Sequence, residues 1–323
     1  MSVFRRRQPY WCLSPMDGVT DSPMRQICKK YGRVDLLTSE FVNVEGLHFA
    51  RERLASELQF SPGEQPLLLQ IYGLTPEFFA QAATLGLQHG FSGIDLNFGC
   101  PAKSVVHSGA GAGLIANPHL AQKIYQAVRE AVDAWAATHP ETKPSLSIKT
   151  RLGVDKPVID EWFSLLLSWH PDLITVHGRT LKQGYTGQAD WQAIAQVVAL
   201  RNQLSPETAI FGNGDVKSLS QVRILVKQTG VDGVVIGRAA LGNPWVFTSH
   251  QPTLSQRLKV ALEHALLYEK TFAYKANYQF YPMRKHLAAY ARGFPGASLL
   301  RQELVNCDNS QQVAAVVNRY LLS

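Results

Sequence analysis

Short apolar runs, each ending in small or polar residues, recur along the chain with helical patterns between several of them. They are "WCLSPM" at 11–16, "VDLLTSEF" at 34–41, "PLLLQIYG" at 66–73, "GIDLNFG" at 93–99, "LSIKTRLG" at 146–153, "LITVHGR" at 173–179, "AIFGNGD" at 209–215 and "GVVIGRAAL" at 233–241. Runs of this length bounded by turn residues read as buried strands. Intervening stretches carry helix signals, such as Asn117-Pro118 opening and His139-Pro140 closing an apolar-periodic segment. Eight strands alternating with helices predict an α/β fold, a closed parallel (β/α)8 TIM barrel. An open doubly wound sheet holding a dinucleotide needs a glycine-rich turn after its first strand, and "SPMDGVTD" is not GxGxxG. After about Gly242 the strand signals stop, and 254–322 reads as amphipathic helical pieces punctuated by Tyr281-Pro282 and Gly293-Phe294-Pro295-Gly296. The expectation is a barrel domain over 1–242 followed by a smaller all-helical C-terminal domain over 243–323, joined through "GNPWVFTSHQPT".

A barrel builds its active site at the C-terminal ends of its strands, so the last residues of each run matter most. They are Pro15, Met16 and Asp17; Glu40; Gln70; Asn97 and Cys100; Lys149 and Arg151; His177 and Arg179; Asn213 and Asp215; Gly237 and Arg238. Polar groups at nearly every strand end predict a ligand-lined mouth. In the last two strands, "GNGD" and "IGRA" put glycines where barrels commonly hold a phosphate, with ordinary turns as the plainer reading. Lys149 interrupts an apolar strand pattern, so it faces a counter-charge or ligand unless it reaches solvent at the strand end. His177 is read either as a group that orients a carbonyl or shares a proton, or as a satisfied buried histidine. Asn97 either caps the following loop or, two residues after Asp95, turns to the same face.

Cys100 stands between Gly99 and Pro101, ahead of a long glycine-punctuated segment that runs through "HSGAGAG" to Asn117 and is suited to move over substrate. An unperturbed thiol, with a pKa of ~8.5, is mainly protonated at neutral pH and can give a proton. A nucleophilic role needs a base, and His107 is the nearest in sequence. The plain alternative is a small buried hydrophobe.

Composition adds a compartment and a partner. The four cysteines, Cys12, Cys28, Cys100 and Cys307, form no CxxC pair and no His/Cys cluster at metal-ligand spacing, so neither a disulfide framework nor a metal site is expected. Arg5, Arg6 and Arg7 are followed by Pro9, Tyr10 and Trp11 rather than by a signal-peptide apolar stretch. No run approaches the ~20 residues that span a bilayer, and a soluble cytoplasmic monomer is expected. Residues 1–250 hold 23 Lys and Arg against 21 Asp and Glu, whereas 251–323 hold 9 against 4, so the net charge of +7 is concentrated at the C-terminus. From Lys270 to Gln302 six cations occur with no acid, interleaved with Phe272, Tyr274, Tyr278, Phe280, Tyr281, Tyr290 and Phe294. That mixture suits phosphate contacts, although most of the aromatics are expected in the helical core; Arg284, Lys285 and Arg292 are the candidate RNA contacts.

Taken in order, "SPMDGVTD", "DLNFGCPAK", "KTRLG", "VHGRT", "GNGD" and "IGRAALGNPW" closely resemble the tRNA-dihydrouridine synthase family from about Trp11 to Trp245, with a looser match through "MRKHLAAYARGFPG". The resemblance implies an FMN-dependent barrel with a helical tRNA-binding domain, tRNA as substrate and NADPH as reductant of the flavin. By the matching motifs, Pro15, Met16, Asp17 and Gln70 would contact FMN. Lys149 would stabilise negative charge on the reduced flavin with His177 nearby, and Asn213, Gly214, Asp215, Gly237 and Arg238 would hold the phosphate end. Cys100 would be the proton donor, with Asn97 and Lys103 on the substrate. Ser14 stands where the family usually has alanine. The rival readings are an FMN barrel acting on a free pyrimidine, similar to dihydroorotate dehydrogenase, and a non-catalytic RNA-binding barrel.

Overall fold

The computed structural model describes Phe4 and residues 9–322, apart from the side chains of Arg53 and Ala55; Arg5, Arg6 and Arg7 lie outside the described residues. Nine strands form one sheet: β1 (Tyr10–Leu13), β2 (Leu37–Thr38), β3 (Val42–Asn43), β4 (Leu67–Tyr72), β5 (Gly93–Phe98), β6 (Ser145–Arg151), β7 (Leu173–His177), β8 (Ala209–Asn213) and β9 (Gly233–Ile236). All pairings are parallel in the order β1-β9-β8-β7-β6-β5-β4-β2, and a parallel bridge from Cys12 to Leu36 brings the last strand back to the first. This is the expected TIM barrel, with helices between the strands.

Two predicted strands differ from what forms. The first stops at Leu13: after the bond from Ser14 N–H to Ile236 C=O (2.8 Å), the next donor on that side, Met16 N–H, goes to Thr20 Oγ1 (2.8 Å) instead of to β9. Of the run at 34–41 only Leu37–Thr38 forms a strand, β2, and β3 lies just beyond the run; both pair with β4. Between them the Ser39 hydroxyl, not a backbone carbonyl, accepts from the Gln70 N–H (3.0 Å), and this side-chain bond interrupts the ladder.

Helix boundaries follow their caps. Asp21 accepts from Met24 N–H at the start of helix Ser22–Tyr31, which ends in Lys29 and Lys30. Asn117 caps Pro118–Thr138, and a Thr253–Gln256 capping box opens Leu254–Phe272. Beyond β9 come only helices among the described residues: Leu254–Phe272, Met283–Tyr290, Ala297–Val305 and Ser310–Leu322, after short 3-10 turns.

Leu69, Ile94, Ile148, Ile174 and Val234, all fully buried, pack the outer face of the barrel into one apolar core with the surrounding helices, while Cys12, Leu36, Leu68, Leu173, Phe211 and Val235, on the alternate inward face, form a separate cluster that fills the barrel. A second core joins Leu258, Leu287, Tyr290, Leu300 and Val317 of the C-terminal helices to Trp245 and to Ile27 of the first barrel helix. That helix is therefore the seam, and Lys30 and Tyr31 also bind Glu263 across it (2.8 and 2.5 Å). Gly242, at φ +68°, packs so closely that a Cβ there would collide with the backbone of Ala289. Five of the seven aromatics noted above belong to this second core or pack on it, while Tyr274 and Tyr281 are exposed.

Candidate active site at the barrel mouth

A cavity of about 1490 Å³ opens at the C-terminal strand ends. It is lined by Pro15, Met16, Asp17, Gln70, Asn97, Cys100, Lys103, Lys149, His177, Asn213, Gly214, Asp215, Gly237 and Arg238, every barrel residue that the sequence nominated for the site. Glu40, the remaining strand-end polar group, is outside that lining. Its carboxyl is buried with Oε1 unpartnered, and burial beside Asp21 lifts its pKa to about 7.

One wall is a hydrogen-bonded chain built by the two-residue period of β5. Asp95 and Asn97 face the same way and are linked through Gln70 of β4, which donates to Asp95 Oδ2 (2.6 Å) and accepts from Asn97 Nδ2 (3.0 Å). Ser147 Oγ also donates to Asp95 (2.5 Å). Asn97 Oδ1 meanwhile accepts from the N–H groups of Gly99 and Cys100 (3.1 and 2.8 Å). Asn97 thus performs both roles that the sequence left open, and its side chain fixes the backbone of the cysteine.

Cys100 is buried against Val105 and Ala110, with Phe41, Tyr72 and Leu74 around it. Burial raises its thiol pKa, with Asp17 adding to the shift and Lys149 and Arg151 opposing it, so the sulfur carries its proton at neutral pH. His107 is exposed and outside the cavity lining, so it is not placed to act as the base of a nucleophilic cysteine. The segment after Cys100 forms helix Lys103–His107 and a 3-10 turn at Gly111–Ala116, and Ala112 N–H binds the Cys100 carbonyl (3.2 Å).

The strand ends that follow are cationic, beginning with Lys149, which pairs in register with Asn97. Lys149 Nζ has no hydrogen-bond or ion-pair partner among the described residues; burial, then repulsion from Arg151, lowers its pKa to about 8. Burial, reinforced by Lys149, Arg151, Arg179 and Arg238, drives His177 down to about 2, so its imidazole is neutral. It can donate and accept hydrogen bonds there but carries no charge. Arg179, 2 % exposed at its side chain, donates to the carbonyls of Thr186 and Gly187 and to Asp215 Oδ2 (3.1, 2.7 and 2.6 Å). Asp215 also accepts from Ala189 N–H (2.8 Å) and from Arg238 Nη2 (3.1 Å), so its carboxylate orients both arginines. Arg179 Nη1 remains buried without a partner. At Gly214, φ +130°, a Cβ would lie 2.5 Å from Ala189 Cβ, so the turn needs glycine. By strand order, the fourth barrel position (β5, Cys100) and the eighth (β9, Arg238) stand on opposite sides of the mouth.

The three C-terminal cations lie outside the cavity lining. Arg284 is paired with Asp308 (2.5 Å) and lies over the Tyr281 ring, so a segment without acids in sequence is partly neutralised in space. Lys285 reaches the barrel, with its Nζ beside the Gly18 turn. Arg292 is exposed.

The family model for dihydrouridine synthase (Dus) matches residues 12–322. The chain belongs to the dihydrouridine synthase family. It is 32% identical over 312 residues to a probable tRNA-dihydrouridine synthase 1 of Synechocystis sp., covering 93% of this chain and 82% of that protein. It is 33% identical over 324 residues to a probable tRNA-dihydrouridine synthase of Staphylococcus aureus (strain MRSA252), covering 97% and 93% of the two chains. Among solved structures, morphinone reductase aligns with a TM-score of 0.51 at 10% identity over 77% of this chain and 88% of its own, a likeness of fold.

In this dihydrouridine synthase family member the sequence reading passed over several residues of the mouth. Phe41 and Tyr72 meet edge to face (4.7 Å) beside Cys100, and Tyr185 lies over the Arg238 guanidinium (5.0 Å). Tyr185 had a signal: an aromatic between Gly184 and Gly187, both at positive φ, in the loop after a strand end. Phe41 had one too, as the last residue of the run at 34–41; in the structure it lies between β2 and β3.

Proposed function

We propose that this chain reduces the 5,6 double bond of a uridine in tRNA to dihydrouridine, with FMN held in the barrel mouth, NADPH as reductant and Cys100 as proton donor. Family membership carries the reaction. The observation that carries the mechanism is a buried, protonated thiol lining one cavity together with Lys149, Arg151, His177 and Arg238.

The residues present fit the flavin. Small-molecule sites are commonly ~300–1,000 Å³, so a cavity of about 1490 Å³ has room for a nucleobase beside a cofactor. Pro15, Met16, Asp17 and Gln70 would hold the ring system. Lys149, which has no direct ion-pair partner among the described residues, would face the ring's negative charge. Asn213, Gly214, Gly237 and Arg238 would hold the phosphate, with Asp215 keeping Arg238 and the half-satisfied Arg179 turned toward it. Bound FMN would supply the hydride that saturates the uracil, and NADPH would restore it.

The protein's own part is positional and protic. Hydride addition at the carbon remote from the carbonyl leaves negative charge next to that carbonyl, and a proton must then arrive. Cys100 gives it as general acid. Lys149 and Arg151 compensate the thiolate left behind, as their influence on the sulfur indicates. Neutral His177 orients a carbonyl without adding charge, and Asn97, which anchors the cysteine backbone, also faces the substrate. Lys103 is exposed at the rim.

A stacked uridine must be unstacked and swung in, at a cost of a few kcal/mol. The helical region from about 243 onward serves as the tRNA-binding domain: Lys285 beside the Gly18 turn brings positive charge to the barrel edge, and exposed Arg292 and the Asp308-paired Arg284 add to it on the same region. The enzyme works as a cytoplasmic monomer; among the described residues no helix is long and apolar enough to cross a membrane.

Cys100→Ala tests the reading. The variant keeps bound flavin and its reduction by NADPH, and loses ~100-fold or more of tRNA reduction, the usual reach of a general acid. Full tRNA reduction by the alanine variant rejects the acid role, and turnover of free uracil derivatives without tRNA transfers support to the small-pyrimidine alternative.

A further inference from the structure

We propose that Asp21, His264 and His286 form a divalent transition-metal site, zinc by its donor set, that joins the first barrel helix to the C-terminal helices. The site stands on geometry independent of the reaction above. Asp21 caps helix Ser22–Tyr31, His264 lies in Leu254–Phe272 and His286 in Met283–Tyr290. One ligand atom from each lies within 4.8 Å of the other two.

The histidines supply a second, independent observation. Both are fully buried, yet neither ring nitrogen of His286 has a partner, nor has Nε2 of His264. Protein interiors rarely keep such groups unsatisfied, and three nitrogens in one pair of touching rings (centroids 4.7 Å apart) call for a ligand. His264 Nδ1 is engaged by the Tyr290 hydroxyl (3.2 Å), which leaves Nε2 for the metal, the arrangement by which an outer partner fixes a ligating imidazole. Asp21 uses Oδ1 to cap the helix, accepting from Met24 N–H (2.9 Å), and keeps its second oxygen.

Two imidazoles and a carboxylate are a zinc set with a fourth position open. The surrounding charges permit it. Arg25 is already paired with Glu64 (2.6 Å), and Lys285, the cation that acts on both Asp21 and His286, is offset by buried Glu40. Bonds of ~2.0–2.2 Å require the donors to draw together by roughly 1 Å, within reach of side-chain rotation. The three residues are too far apart in sequence to form a ligand motif, which is why cysteine and histidine spacing gave no metal expectation. Asp21 directly follows Thr20 of the mouth loop, and His286 shares its helix with Arg284 and Lys285, so occupancy would set the helical region against the barrel.

The test uses untagged full-length protein, stripped with EDTA and reloaded with zinc chloride or cobalt chloride. One zinc per chain retained through gel filtration, a raised thermal midpoint and the visible absorption of tetrahedral cobalt are expected. His264→Gln and His286→Gln each lose the retained equivalent, and His107→Gln, at an exposed histidine, keeps it. Failure of the unmutated protein to retain zinc overturns the proposal without reference to any variant, as does undiminished retention in a soluble His264→Gln or His286→Gln protein.

Discussion

Replacing Asp215 separates three contributions at the mouth. Its carboxylate, 28 % exposed, neutralises the buried Arg179 guanidinium, accepts the Ala189 N–H and holds Arg238. Its backbone has φ +56°, a conformation that asparagine tolerates and alanine does not. Breaking a fully buried ion pair costs ~3–5 kcal/mol. Asp215→Asn keeps an acceptor oxygen and the partly exposed pair is screened, so a loss of about 2 kcal/mol is expected at pH 7. Asp215→Ala removes every acceptor and adds ~1–2 kcal/mol of backbone strain, for about 4 kcal/mol in all. Asp215→Gly relieves the strain and should fall between the two. Urea unfolding midpoints of the flavin-free protein measure the series.

The pH dependence has a defined sign. Although burial opposes ionisation, hydrogen bonds from Arg179 and Ala189 and the charges of Arg179 and Arg238 leave the folded pKa below its ordinary value. The carboxylate's stabilisation is therefore complete above the unfolded value of ~3.9 and is lost as pH falls through the lower folded value. The gap between the native protein and Asp215→Asn should persist from neutral pH to about pH 4 and close only in stronger acid. An asparagine variant within ~0.5 kcal/mol of the native protein at pH 7 would refute the reasoning, as would equal losses for asparagine and alanine.

Lys149 has the same sign of pH dependence in a higher window, but there the ionised form is the disfavoured one. Its folded pKa of about 8 lies below the unfolded value, so the native state binds fewer protons and stability rises with pH between the two. Lys149→Met should stabilise the flavin-free protein by about 2 kcal/mol below pH ~8 and lose that advantage by pH ~10.5 while weakening reduction of the substrate; a melting-temperature series that shows no gain at pH 7 contradicts this. Neutralising Lys285 and Arg292 together should reduce the salt slope of tRNA binding by about 2 and leave flavin content unchanged, whereas Arg284→Ala, already paired with Asp308, should change it less; filter binding across a salt series checks both.

The sequence by itself determined the barrel and the list of residues at its mouth. Strand and helix periods are local, each apolar run needed only to be buried, and a parallel barrel places every strand end at one mouth whatever the loops do. That is why Pro15 through Arg238 converge although they are far apart in the chain. Where a side chain replaced a backbone partner, as Ser39 does for Gln70, periodicity had no access to the result, and the predicted strand shortened to Leu37–Thr38 with β3 forming beyond it. The state of each group was likewise invisible. Burial keeps Cys100 protonated, burial reinforced by neighbouring cations keeps His177 neutral, and Asp215 is engaged by arginines from two other strand ends. Only packing decided these matters, because a pKa depends on the charges and desolvation that the fold collects around a group. The same holds for Asp21, His264 and His286, which the chain keeps apart and two helices and a cap bring together.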